Sequence, residues 1–596
     1  MPKAIPPEDD IHTATPRNGG HAAPLGAPLP PVPPSEGPHG DAGPPALLPL
    51  PLGDAGSRLD LSSGVPEDLG EGPPEGLTFA PIDTSARRFR TNVLANLAYF
   101  IFSAGIQLWF TRYLIDQLGV ATYGLVPLAT NITNYMTIVT IALSGSVGRF
   151  LTIDLAKGDI AAANRTFNTA LFASVVLAIA LVPVAGALSW FGPNLLNIPA
   201  GEEMGTRFLL MCTCFAFLLN AVGSSFACST FAKNRFDVQR LIDAVGFAFQ
   251  VAVIFALFAA SGSRLWYVGI GIAGSALVRQ ACYQASWRKL TPELHIRRCF
   301  FARSCLRQIL GMSGWLSVDN IGVILLFQAD LVLANGLLGP EASGLYAPLL
   351  QVSILLKMVV DMAASALAPT VIATYTTQGE SVTATLVSRT TRVLGLFLGL
   401  PIGLVCGLGG PLLNAWLGPP FADQGLALAV LMAPAVFTRA CATLHPVKSA
   451  ANKVRTPAIA VLITGVVSVM SSVAAVRAFG GGLLSLIAIR SVTWFLLDVC
   501  FTTIYVALVL HQPPSTFVRR LAPGGIGALL VASGVRALIC IPGPRPVLAA
   551  LLPFGLLISL AYATVVWHYT MSSEDRAILA RSLRGGRRAP QPQAHL

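Results

Sequence analysis

The chain has 596 residues, 54% of them hydrophobic and only 12% charged, with a mean hydropathy of +0.65. Soluble domains carry about 25% charged residues, so this composition cannot clothe soluble surfaces and its apolar excess must face lipid. The formal charge of +11 would suit a nucleic-acid binder, but Lys and Arg lie between the apolar segments rather than in one arm, which points to a membrane protein with no nucleic-acid partner.

Residues 1–86 include "PLGAPLPPVPPSEGPHGDAGPPALLPLPL", rich in Pro and Gly and almost without aromatics. Such a stretch buries too little apolar area to offset its ordering entropy and is expected to be disordered. It lacks a charged segment followed by an apolar one, so no cleaved signal peptide is expected. From residue 87 the pattern changes. A bilayer core takes about 20 apolar residues as helix, and candidate spans begin near Asn92, Tyr123, Phe167, Phe208, Val238 and Leu265. A basic stretch at 288–304 follows. Six more spans begin near Arg307, Leu345, Val393, Leu426, Pro457 and Leu483, and a weaker pair near Gly525 and Val547. The reading is an all-α integral membrane protein of 12–14 transmembrane helices. Two parallel-repeat six-helix bundles (87–287 and 305–511) flank a cytoplasmic linker (288–304), a weaker helix pair fills 512–571, and a basic tail occupies 572–596.

Loop charge sets the orientation. With the N-terminus placed in the cytoplasm, inner segments hold 27 Lys and Arg, from Arg87, Arg88 and Arg90 through the linker to Arg587 and Arg588. Outer loops hold six: Arg112, Arg207, Arg264, Arg477, Arg536 and Arg545. One miscounted span would invert every later loop, so both termini are expected to be cytoplasmic. Two loops echo each other in this frame. "LGVATYGL" (118–125) follows span one, and "LGPEASGL" (338–345) follows span seven. Lys157-Gly158-Asp159 after span two likewise matches Gln378-Gly379-Glu380 after span eight, and "AKNR" after span four matches "ANKVR" after span ten. Six spans separate each pair, as two like-oriented bundles require.

Repeat-built transporters bind substrate near the midplane where the halves meet, and an ionisable residue there costs about 2.5–3.5 kcal/mol unless paired or wet. Span two carries Thr130, Asn134 and Thr137 as a polar stripe, extended by Ser144, of the kind that bonds neighbouring helices as often as ligands. Asp243 lies in span five and Arg279 in span six. Span seven holds Asp319 and Asp330, on one face and about 16 Å apart along the axis. In span eight, Lys357 and Asp361 stand at i, i+4 and are expected to pair. Span ten holds Arg439 and His445, and span twelve Arg490 and Asp498. Arg439 and Arg279 are the leading cationic candidates for a cavity. His445 reads as a packing histidine near the inner end of its helix.

Other chemistry finds no support. Cys212 and Cys214 would point about 200° apart on a helix, and Cys299 and Cys305 fall in the basic loop, where thiols stay reduced. No metal site or cofactor is expected. "GIGIAG" (269–274) fits the dinucleotide fingerprint G-x-G-x-x-G, but it lies inside span six with no strand before it, and serves close helix packing instead. No phosphate loop, nucleophile–base pair or intramembrane-protease motif is present, and the outer loops are too short to carry a transferase site. An enzyme is not expected.

"FTRYLIDQLGVATYGLVPLATNI" and "FQADLVLANGLLGPEASGLYAPLLQV" resemble the polysaccharide transporter branch of the multidrug/oligosaccharidyl-lipid/polysaccharide exporter superfamily, the oligosaccharide flippases. The family's Asp in span seven followed by Leu-Gly and Gly-Leu/Ile-Tyr matches Asp330, Leu338-Gly339 and Gly344-Leu345-Tyr346. The first half offers Leu118-Gly119 and Tyr123-Gly124-Leu125, and "RFLTIDLAKGD" (149–159) resembles the loop after span two. The similarity covers roughly 87–511. It implies alternating-access export of an oligosaccharide linked to polyprenyl pyrophosphate across a bacterial inner membrane, with membrane lipids and polysaccharide assembly proteins as partners. It further implies a cavity lined by cations, with Arg439, Lys357, Arg279 and Arg490 in that role. Coupling to a proton or Na+ gradient would run through Asp330 or Asp319. The alternatives are a cation-coupled drug exporter of the same superfamily, with an acidic, aromatic-lined cavity, and a non-transporting membrane protein such as a polysaccharide polymerase.

Overall fold

The computed structural model describes residues 86–312, 314–539 and 548–570. The expected tails, residues 1–85 and 572–596, lie outside them. The first series of helices is α1 (Ala86–Leu118), α2 (Val120–Asn134), α3 (Thr137–Ala156), α4 (Ile160–Leu195), α5 (Glu203–Ala232), α6 (Phe236–Ser261) and α7 (Leu265–Leu290). The second is α8 (Arg303–Met312), α9 (Gly314–Leu333), α10 (Pro340–Gln378), α11 (Glu380–Leu417), α12 (Gly425–Met432), α13 (Ala435–Ala440), α14 (His445–Ala450) and α15 (Arg455–Phe479). It continues through α16 (Leu483–Phe495), α17 (Thr503–Val509), α18 (Ser515–Ile539) and α19 (Leu548–Val565), and no strand occurs among the described residues.

The chain is a multi-pass membrane protein, and helix occupies all fourteen expected positions. Ten of the helices are long and apolar enough to cross a membrane, or eleven if the bent pair Pro419–Met432 and Ala435–Ala450 is one span. The shortfall has physical causes. The second expected span is cut into α2 and α3 at Tyr135–Met136, α7 carries Arg279, Gln280 and Gln284 along its length, and the last apolar helix is short. Backbone inside a bilayer must find its hydrogen bonds within the protein, so breaks of this kind belong where protein or a cavity, rather than lipid, surrounds the chain.

The two echoing loops meet in space. Gly119 (φ 79°) precedes α2 and Gly339 (φ 98°) precedes α10, each in the left-handed region that favours glycine. Five residues on, Gly124 and Gly344 bring α2 and α10 into backbone contact. A Cβ at Gly124 would stand 2.7 Å from the Gly344 nitrogen, and one at Gly344 would stand 2.1 Å from the Val120 carbonyl oxygen. The other echoes share backbone geometry too: Gly158 and Gly379 have φ of 74° and 85°, and Asn234 and Asn452 have φ of 52° and 53°.

Small residues set the remaining close approaches, as expected where lipid gives apolar surfaces no reason to associate. In "GIGIAG", a Cβ on Gly271 would fall 2.5 Å from Ile254 of α6, and one on Gly269 would fall 3.3 Å from the Cys212 sulfur of α5. The weaker C-terminal pair is not loosely attached. Gly399, Gly403 and Gly407 of α11 lie against the backbone carbonyls of Gly524, Ala528 and Ala532 in α18, each within 3.0 Å of where a Cβ would stand.

Candidate functional site

Two cavities follow the two broken spans. The first lies in the first series, beside the break between α2 and α3. There Tyr135 and Met136 donate to the carbonyls three residues back, Ile132 and Thr133, so the helix tightens through one turn while both residues keep helical dihedrals. A cavity of about 260 Å³ opens beside it, lined by Asn134, Thr137, Thr140, Ser174, Asn220 and Ser224, with Leu177 and Phe217 as its apolar wall. Among the described residues, no charged side chain lines it. Asn134 and Thr137 of the expected stripe face this space, and the Thr137 hydroxyl donates to the Asn134 carbonyl at 2.6 Å. Thr130 does not line the cavity: it is exposed and donates to the Val126 carbonyl at 3.1 Å. The Ser144 side chain lies outside the described residues.

The second cavity, of about 320 Å³, belongs to the second series and surrounds the other broken span, α12–α13–α14. Pro434, which has no N–H to give, lies at the break where Pro419–Met432 and Ala435–Ala450 bend by 41°, and after a 3-10 turn at Cys441–Leu444 both His445 and Lys448 line the cavity. Charged groups enter from four directions: Asp319 from α9, Lys357 and Asp361 from α10, Arg439, His445 and Lys448 from α13 and α14, and Asp498 from the π turn Leu496–Thr502.

The contacts here are specific. Lys357 and Asp361 form the expected i, i+4 ion pair. Lys448 is only 7% exposed and donates to Thr502 Oγ1 at 3.4 Å, with its Nζ 3.3 Å from His445 Nδ1. His445 Nε2 lies 3.7 Å from the Asp498 carboxylate. The Arg439 guanidinium sits 5.5 Å from the Phe327 ring and 5.3 Å from that of Trp494, and its buried Nε has no hydrogen-bond partner. An Arg held by aromatic faces with a donor unspent is available to an incoming acceptor.

Arg439, Lys357 and Asp319 therefore line one cavity, whereas three other expected site residues stand elsewhere. Asp330 and Arg490 are almost wholly buried and form an ion pair between α9 and α16, with Arg490 also donating to the Leu326 carbonyl at 3.2 Å. Each charge is spent on the other, so neither faces the cavity. Arg279 belongs to the first series. Its stem fills the notch that Gly246 leaves in α6, with its Cγ 2.3 Å from where a Cβ would stand, and it lines neither cavity.

The sequence reading missed Lys448, which it counted as a loop cation, and gave no site role to Asp498, Phe327 or Trp494. The His445-x-x-Lys448 spacing, one helical turn on one face, was the available signal. By count the cavity is balanced, with Lys357, Arg439 and Lys448 against Asp319, Asp361 and Asp498, rather than cationic as expected. No group of three or more His, Cys, Asp or Glu placed to hold a metal ion occurs among the described residues.

Around Gly119 and Gly339 the two series are stitched together. Arg112 donates to the Ala415 and Trp416 carbonyls at 2.9 and 3.2 Å, and Trp416 Nε1 to the Leu108 carbonyl at 2.8 Å. Asn197 Nδ2 donates to the Asn335 carbonyl at 2.7 Å. The Gln107–Gln351 hydrogen bond adds a further link.

The fold occurs in solved transporters. The structure of the lipid II flippase MurJ in an inward closed conformation matches 80% of this chain and 98% of its own, with a TM-score of 0.58 at 12% identity. The inward-facing conformation of a multidrug resistance MATE family transporter of the MOP superfamily matches 70% of this chain and 98% of its own, with a TM-score of 0.54 at 14% identity. The chain shares its fold with these transporters. Among curated proteins, the "uncharacterized membrane protein EpsK" of Bacillus subtilis (strain 168) is 28% identical over 501 residues, 83% of this chain and 98% of its own length. No family model matches the chain. The neutral cavity lies in the first series of helices and the charged one in the second.

Proposed function

We propose that this protein translocates an oligosaccharide linked to polyprenyl pyrophosphate across a bacterial inner membrane, by alternating access of its two helical series. The observation that carries the reading is Arg439: a half-buried cavity side chain whose buried Nε has no hydrogen-bond partner, beside a bent span, with Lys448 lining the same cavity. Hydrogen bonds between a cation and phosphate oxygens are about twice as strong as neutral ones, and this pair of cations suits a pyrophosphate. The likeness of fold to a lipid II flippase and the left-handed residues that recur about 220 positions apart support a transporter made of two related halves. The bundles 87–287 and 305–511, joined by the linker 288–304, remain our division of the chain.

The balance of charge suggests how the cycle is driven. Each proton or Na+ taken up at Asp319 or Asp498 cancels a negative charge and leaves Arg439 and Lys448 free to hold the anion. Losing that cation releases the anion. Asp498 and Asp319, rather than the locked Asp330, are the proposed coupling carboxylates.

The test is flipping of a fluorescently labelled polyprenyl-pyrophosphate disaccharide in proteoliposomes holding the whole chain. Arg439→Gln is expected to slow it about ten- to a hundredfold, the value of a charged hydrogen bond. Asp498→Asn is expected to abolish its acceleration by an ion gradient. Wild-type rates in Arg439→Gln would refute the assignment. One observation favours a second reading: three carboxylates and the Phe327 and Trp494 rings in one cavity would also suit a cationic drug. Ethidium efflux in the same vesicles, with no lipid flipping, would decide for it.

A further inference from the structure

We infer that the neutral cavity beside the α2–α3 break is a carbohydrate subsite, taking a sugar ring of the cargo while the charged cavity takes its phosphates. This rests on the flippase reading and extends it to the other half of the molecule. The cavity's side-chain chemistry selects the ligand class. With no charged residue among its lining, it offers an anion or cation nothing to offset desolvation. Asn134, Asn220 and Ser174 of its lining have no side-chain hydrogen bond among the described residues. A purely apolar ligand would leave those groups dry and unpaired, which is unfavourable.

A polyol satisfies both limits. Two carboxamides each offer donors and an acceptor. The hydroxyls of Thr137 and Ser224 already give their protons to backbone carbonyls, at 2.6 and 2.8 Å, and so turn acceptor lone pairs toward the space. Phe217 and Leu177 supply an apolar wall for the C–H face of a ring. The volume, about 260 Å³, equals the liquid volume of roughly nine waters. A single ring with its hydroxyls can replace such water nearly bond for bond.

The experiment measures equilibrium binding to the full chain in nanodiscs of two probes: polyprenyl pyrophosphate carrying an N-acetylglucosamine disaccharide, and the same lipid without sugar. Wild type is expected to prefer the glycosylated lipid by about tenfold, the value of two neutral hydrogen bonds. The double variant Asn134→Leu/Asn220→Leu should lose that preference, and Asn220→Leu alone, at an exposed position, should lose part of it if the double variant does not fold. Arg439→Gln should weaken both lipids and keep the preference. A preference retained in both Asn variants, or two lipids bound equally by wild type, overturns the subsite and leaves the flippase reading standing. Binding of neither lipid overturns the flippase reading and the subsite with it.

Discussion

The two cavities share one architectural cause and differ in chemistry. Each opens where a membrane helix tightens or bends, at Tyr135–Met136 in one series and across Pro434 and Cys441–Leu444 in the other. Around the first break the chain places amides and hydroxyls, and around the second three cations, three carboxylates and a histidine. The break supplies the space and the side chains supply the selectivity. A cargo with a neutral, hydroxyl-rich part and an anionic part would divide itself between the two.

Substitutions at five sites test that contrast. The largest effect is expected at the ion pair that belongs to neither cavity. Asp330→Asn leaves Arg490 buried and unpaired and should cost about 3–5 kcal/mol of stability, measured by thermal unfolding in detergent. Replacing both residues by apolar ones of similar size should recover most of that loss, and no recovery would mean the pair touches substrate after all. Arg439→Gln comes next, at about 1.5–3 kcal/mol of transition-state or binding energy, read as flipping rate with the unfolding temperature unchanged. Gly344→Val, whose Cβ would press on the Val120 carbonyl, should cost about 1–3 kcal/mol by overpacking and separate the two series where they meet. Joint replacement Lys357→Met with Asp361→Leu should cost about 1 kcal/mol or less, because the two neutralise each other at a partly exposed site. Lys357→Met alone should cost more than the pair, and a double-mutant cycle checks this. Thr130→Val should change stability and flipping by less than about 0.5 kcal/mol, since Thr130 faces away from the cavity that Asn134 and Thr137 line.

Much of the fold was legible because its causes are local. Apolar runs of the right length placed the helices, and the repeated Leu-Gly and Gly-Leu loops marked positions whose left-handed backbone asks for glycine in both halves. The Lys357–Asp361 pair was readable for the same reason, being one helical turn apart. The site was less so. Arg490 and Asp330 were read as cavity residues, but they lie 160 positions apart and no local rule predicts that they pair. Lys448 looked like a loop cation since it follows a proline at the end of an apolar run. Only the packing of α14 against its distant neighbours makes it a cavity residue.

The sequence by itself determined a many-spanned membrane protein, where its helices run and where glycine lets them touch. These follow from hydropathy, helix length and backbone sterics, which act within a few residues. The tertiary structure alone decided which charges are spent on each other and which remain for a ligand. A buried charge is silenced or exposed by whatever helix packs beside it, and that neighbour comes from a distant part of the chain.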